Sequence, residues 1–282
     1  MTVSRDELAA SLAKACRLDV VAFKPGNVSL WAPGHGMNAE DFLRSARVAV
    51  PCLTMPQARV GERIETAVAA TRAALGCNTN LGIVLLLAPL AAAVQCIAAG
   101  DLRGRLARVL ATLDRTDAVA CFRAICMAQP AGLGQVAAAD VRETPDIDLL
   151  SAMGLAAARD RIAAAYVSDY QEVFELGVPA LVAARQRWRS LPWATTACYL
   201  RLLAASPDTH IARKWGMRLA MEVCARARAV ESTLKACENP RAAVAPLRAF
   251  DDELKSRGVN PGTSADLTVA CVAVLLLQAR LA

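Results

Sequence analysis

Gly258-Val259-Asn260-Pro261-Gly262-Thr263-Ser264-Ala265-Asp266-Leu267 opens an almost uninterrupted apolar run that continues to Leu277. A turn bearing an amide, two hydroxyls and a carboxylate is therefore attached to the start of a helix whose composition suits burial. Pro261 presets φ, Gly262 removes a steric limit, and Thr263 with Asp266 has the spacing to cap the first turn. N–H groups left over at such a helix start, beside Thr, Ser and Asp side chains, suit phosphate or metal–phosphate binding. A well-capped structural helix accounts for these residues equally well, so the rest of the chain has to decide.

Composition points the same way. Of 282 residues, 55% are apolar but only 4% aromatic, so Ala, Leu and Val must fill the core. Ala and Leu are strong helix formers, and β-type alternation is weak, so the expected fold is all-α: a compact multi-helix bundle. A formal charge of +6 attracts anions such as nucleotides, nucleic acids or acidic carrier proteins. Sparse aromatic residues argue against stacking on single-stranded nucleic acid. The ten cysteines contain no Cys-x-x-Cys, and several lie in apolar helical stretches, which suits reduced core residues. No signal-peptide core is evident, and the apolar stretches 83–94 and 267–277 fall short of a bilayer span. The expectation is a soluble cytoplasmic protein with no membrane partner.

Local signals divide the chain into helices. Ser4 with Glu7 and Asn38 with Asp41 form capping boxes. The first helix should end before Phe23-Lys-Pro-Gly-Asn27, and the Gly- and Pro-containing stretch 31–37 should be a shaped loop. Further helices are expected over 62–75, 101–113, 155–170, 179–189, 192–203, 208–229 and 241–257. Pro89 should kink its apolar helix or start a new one. Residues 129–147, rich in Gly, Pro and small side chains, read as a long connection. No linker divides the chain, so residues 1–282 are expected to form a single domain.

Three polar turns precede apolar or amphipathic helices: Lys24-Pro-Gly-Asn27, Asn78-Thr79-Asn80 and Asn260 to Asp266. Asp208-Thr-His-Ile-Ala-Arg-Lys214 adds a fourth. There His210, Arg213 and Lys214 share one helical side, with Asp208 at the entrance, and the forked Arg213 suits paired phosphate oxygens. Bland roles exist for each: Asn78, Asn80 and Asp208 as caps, Lys24 and Lys214 as solvated cations, His210 as a surface residue. With two histidines a His-rich zinc site is excluded, and Asp with phosphate oxygens better suits Mg²⁺. There is no Gly-x-Ser-x-Gly, no P-loop and no Gly-x-Gly-x-x-Gly opening a strand–helix unit.

Lys24-Pro-Gly-Asn-Val28, Glu40-Asp-Phe-Leu-Arg-Ser-Ala46, Asn78-Thr-Asn-Leu-Gly82, the Asp208 segment and the Asn260 segment together resemble the triphosphoribosyl-dephospho-CoA synthase family. The resemblance spans most of the chain in family order. It implies an α-helical enzyme that uses ATP and 3′-dephospho-CoA, or a related ribose-bearing acceptor, and releases adenine. On that footing Asp208, His210 and Asp266 are expected to be catalytic, with Asp208 and Asp266 positioning Mg²⁺. Lys24, Arg213 and Lys214 would contact phosphate, while Asn27, Asn78 and Asn260 orient sugar or phosphate groups. Thr79, Asn80, Gly262, Thr263 and Ser264 complete the expected nucleotide site.

Asn80 and Leu81 stand where members serving citrate lyase have a histidine and a basic residue. This pattern resembles an archaeal and methylotroph branch, part of which is associated with tetrahydromethanopterin-dependent metabolism. Asn80 is expected either to accommodate substrate without proton transfer or to cap the helix beginning near Leu81. The competing functions are a kinase or other ribosyl or phosphoryl transferase, and a nonenzymatic anion- or nucleic-acid-binding protein. A homodimer is the expected assembly.

Overall fold

The capping box of Ser4 and Glu7 starts the first helix: Ser4 Oγ accepts from Glu7 N (3.2 Å), and Glu7 Oε2 accepts from Ser4 N (3.0 Å). The computed structural model describes residues 3–96, 99–130 and 140–281. Its α-helices are α1 (Arg5–Val21), α2 (Ala39–Leu53), α3 (Val60–Leu75), α4 (Leu81–Gln95), α5 (Leu102–Ala111), α6 (Arg115–Ala128) and α7 (Leu149–Ala156). The second half contains α8 (Arg161–Val167), α9 (Val178–Trp188), α10 (Leu191–Ala205), α11 (Thr209–Trp215), α12 (Met217–Ala236), α13 (Val244–Ser256) and α14 (Gly262–Leu281). A π-turn at Glu172–Gly177 leads into α9, and a 3₁₀ turn at Pro240–Ala243 leads into α13. Among the described residues there is no sheet, only isolated bridges in the loop before α2. The all-α expectation holds.

Several local expectations need correction. Helix α6 falls where no helix was expected, although Asp114 and Asp117 form a capping box at its start. The helix expected over 155–170 is two helices, because Asp160 caps a new start by accepting from Ile162 N (2.8 Å). The helix expected over 208–229 breaks at Gly216, whose φ of 92° lies outside helical space. Of the expected connection over 129–147, residues 131–139 lie outside the described residues and the remainder is non-helical.

α4 and α14 form the buried axis. α14 packs against α1, α4, α9 and α10, while α4 packs against α3, α5 and α14. By length and composition alone α14 would be apolar enough to cross a membrane, more so than the run 267–277 suggested. Here most of its surface is enclosed by other helices. A second apolar cluster joins α10, α12 and α13 through Tyr199, Val230 and Phe250. All ten cysteines are unbridged.

Pro89 does not break α4. Lacking an N–H, it leaves the Leu85 carbonyl without its helical donor. Tyr166 Oη supplies one at 2.6 Å, and Tyr170 Oη donates to the Leu86 carbonyl at 3.0 Å. The chain crosses the proline as one helix, with Tyr166 of α8 supplying the donor that the proline lacks. Tyr166→Phe should leave a buried carbonyl unpaired and destabilise the protein by about 1–3 kcal/mol in urea denaturation. No change in the midpoint would mean that the helix tolerates the gap without the tyrosine.

Candidate active site

A cavity of about 910 Å³ lies where the long helices α4 and α14 begin, and the starts of the shorter α8 and α11 also reach its wall. The polar turns singled out in the sequence meet here. Asn27, Asn78, Thr79, Asn80, Asn260, Gly262 and Thr263 line the cavity, as do His210, Arg213, Lys214 and Asp266. Lys24, Asp208 and Ser264 do not.

Asp208 shows why. It is fully buried, and its Oδ1 accepts from His210 N (2.9 Å) and Ile211 N (3.1 Å), capping α11. Its Oδ2 accepts from Ser264 N (2.7 Å) and Ser264 Oγ (2.8 Å), capping α14 from another helix. A carboxylate has about four acceptor sites, and all four are taken. In this arrangement Asp208 acts as a double helix cap and does not line the cavity, where a metal-ligand and catalytic role was expected. Ser264 is likewise committed, since Arg161 Nη1 donates to its hydroxyl at 3.1 Å. The local capping pair expected from Thr263 and Asp266 is not formed: Thr263 Oγ1 instead accepts from His210 N and Thr209 Oγ1, both at 3.1 Å.

Lys24 is also fully buried and stands behind the wall. Its ammonium is ion-paired with Asp19, donates to Asn27 Oδ1 (3.1 Å) and lies over the Tyr199 ring. Direct phosphate contact is thus closed to it in this arrangement. Instead it holds Asp19 and Asn27, and Asn27 Nδ2 reaches Asn260 Oδ1 at 2.9 Å. The loop after α1 and the turn before α14 are tied together through these side chains. At α4 it is Asn78 whose side chain accepts from Leu81 N (3.1 Å). Asn80 makes no cap bond, and its Nδ2 donates to Thr71 Oγ1 at 3.2 Å. The capping alternative for Asn80 is therefore not realised. Thr79 Oγ1 is buried without a hydrogen-bond partner among the described residues.

Sequence reasoning missed several lining residues. Asp19 lines the cavity, and its signal was an acidic residue in the last, apolar turn of α1, where the helix dipole disfavours negative charge. Arg72, Arg159 and Asp160 also line it. Asp160 Oδ2 pairs with Arg213 Nη1 at 3.2 Å, and Arg213 Nη2 lies 3.4 Å from His210 Nδ1. That contact makes Nδ1 the acceptor, which leaves the ring proton of a neutral His210 on Nε2.

Asp266 accepts no hydrogen bond from any described residue, although it opens onto the cavity. Burial raises its carboxyl well above the ordinary range; Asp19 adds to this, Lys24 opposes it, and Asp208 and Asp160 add further. Its Oδ2 lies against the first turn of α4, where a Cβ on Gly82 would fall only 2.0 Å away. Glycine at position 82 is what lets the carboxylate approach this helix start.

The polar turns converge at one cavity, and the family comparison makes the protein a transferase. The chain belongs to the CitG family, described as ATP:dephospho-CoA triphosphoribosyl transferase, whose model matches residues 5–282. ATP is the substrate of that family. A solved structure from Archaeoglobus fulgidus, provisionally named a triphosphoribosyl-dephospho-CoA synthase, is similar with a TM-score of 0.65. The match covers 84% of this chain and 98% of that one at 24% identity, a level at which it establishes the fold. No curated protein matches this chain significantly.

Gly82→Ala should aid α4 as a helix by up to about 1 kcal/mol yet push Asp266 aside. Turnover should fall about 100-fold while the thermal midpoint stays within a few degrees of the parent. Unchanged turnover would mean that Asp266 does not act from this position.

Burial holds the His210 imidazole below its ordinary 6.5; Asp208 opposes this, and Arg213, Lys214 and His35 reinforce it. Since the folded value lies below the unfolded one, the unfolded chain takes up the proton first as pH falls through about 6.5. The neutral imidazole therefore costs nothing above that pH, and stability declines below it. His210→Gln should flatten this part of the decline, and the His210 ring resonance should titrate below 6.5 in NMR. A titration above 6.5 would reverse the sign.

Proposed function

We propose that this protein joins the triphosphoribosyl group of ATP to a ribose hydroxyl of 3′-dephospho-CoA or a closely related acceptor, releasing adenine. One observation carries the reading: Asp266, a carboxylate with no hydrogen-bond partner among the described residues, shares a cavity with two long-helix N-termini and the cations Arg213 and Lys214. The helix starts and cations favour a polyanion, and Asp266 faces the same space.

In the proposed step the C1–N9 bond of ATP breaks and a C1–O bond to the acceptor forms. Adenine leaves with the bonding electron pair and is protonated, and the acceptor hydroxyl gives up its proton. Positive character develops at C1, so a carboxylate beside it lowers the barrier. Asp266 receives the hydroxyl proton, a role that its raised proton affinity suits better than that of an ordinary carboxylate. Arg213 and Lys214 hold the triphosphate. The Nε2–H of His210 donates a hydrogen bond to substrate, while Asn27, Asn78, Asn80 and Asn260 orient ribose and phosphate oxygens. Residues 1–282 act as one domain in this scheme, because α10 and α14 both join the two apolar clusters.

Mg²⁺ fits the donor set as an all-oxygen ion bound by one or two carboxylates and substrate phosphates. Asp19 would hold it, since Lys24 engages only Oδ1 and the residue lines the cavity. When bound, the ion neutralises triphosphate charge.

Incubation with ATP and dephospho-CoA should yield free adenine and a triphosphoribosylated acceptor in equal amounts by mass analysis. ADP as the stoichiometric product would replace this reading with a kinase. Asp266→Asn should lower kcat about 10²–10⁴-fold with ATP affinity largely kept. Full turnover in that variant would remove Asp266 from the chemistry.

A further inference from the structure

The cavity has a second half that the chemistry above leaves unused. α6 contributes Phe122, Ile125 and Ala128 to its wall, and α7 contributes Ala152, Met153 and Ala156. Neither helix places a charged side chain on the cavity. Polar groups return in the loops beyond them, with Gln129 and Asp140 after α6 and Arg159 after α7. Leu85 of α4 and Ile162 of α8 extend the apolar surface toward Asp266. The wall is thus continuous with the site of transfer.

A triphosphate is a poor occupant of such a wall, since its charge would lose hydration without compensation. The volume also exceeds what one nucleotide head requires, standing near the upper end of the roughly 300–1,000 Å³ of small-molecule sites. Dephospho-CoA differs from a plain nucleotide in its pantetheine arm, a long uncharged chain with a dimethyl carbon, two amides and a terminal thiol. Its apolar carbons match the α6–α7 wall, and its amides need only a few polar partners.

We propose that the α6–α7 wall seats this uncharged arm, so that the enzyme selects nucleotide acceptors by the arm as well as by the ribose. The assignment rests on the transferase reading and divides the cavity in two. ATP phosphates occupy the end formed by α4, α11 and α14; the acceptor arm runs along α6 and α7.

Ala156→Phe, at a half-buried wall position, fills the arm site and leaves the phosphate end untouched. It should raise KM for dephospho-CoA at least tenfold with kcat little changed and with the ATP Kd, from calorimetry, equal to the parent's. Ala152→Met, a smaller intrusion, should act in the same direction. In ligand-observed NMR, pantetheine alone should bind the parent and lose contact in Ala156→Phe. An equal loss of ATP and dephospho-CoA affinity would overturn the proposal, because the wall would then hold the adenine of ATP. So would parent turnover of adenosine 5′-diphosphate, which lacks the arm, as fast as dephospho-CoA. Should the parent transfer nothing to any acceptor, the transferase reading fails separately. The pantetheine experiment still decides the wall: binding lost in Ala156→Phe supports the assignment, and no binding by the parent refutes it.

Discussion

One buried carboxylate sets the geometry of the active end. Asp208 caps its own helix, α11, and through Ser264 it also caps α14. The network continues inward: Arg161 donates to Ser264 Oγ, pairs with Glu172 and reaches the Leu202 carbonyl at 3.0 Å. The starts of α8, α11 and α14, the π-turn and the end of α10 are therefore held by one chain of charge-assisted bonds. Such bonds contribute about 1.5–3 kcal/mol each when complete, and orphaned members cost at least as much. With the helix starts held, His210, Thr263 and Asp266 have little freedom in where they face.

A second buried pair performs the same service across the cavity. Lys24 holds Asp19 and Asn27, and Asn27 holds Asn260, so the ends of α1 and α14 stay in register. Both pairs show one division of labour. Lys24 and Asp208 are buried and engaged by structural partners, while Asp266 has no hydrogen-bond partner among the described residues beside Gly82. Burial, reinforced by Asp19, raises the proton affinity of Asp266, and Lys24 offsets this in part. Two tyrosine-to-carbonyl bonds, to Leu85 and Leu86, support α4 where it passes Pro89.

Much of the fold was legible because it depends on near neighbours in the chain. The capping boxes at Ser4 and Asn38, the turns at 24–27 and 76–80 and the long apolar helix after Pro261 all follow from interactions within a few residues. Helix α6 was missed because alanines and cysteines blur its periodicity, even though its Asp114–Asp117 cap was present. The breaks before Asp160 and at Gly216 were missed because apolar spacing continues on either side of them.

The sequence by itself determined the helical class, most helix starts and the set of polar turns that meet at the cavity. Tertiary structure decided what each charged residue in those turns does. Asp208 and Lys24 read as ligand-binding groups by type and position, yet distant partners saturate them inside the wall. Asp19 belongs to none of those turns, yet the packing of α1 against α14 brings it to the cavity. The physical reason is range. A cap is fixed by residues three or four apart, whereas the vacancy of a carboxylate depends on donors that arrive from elsewhere in the chain, as Ser264 reaches Asp208 from 56 residues away.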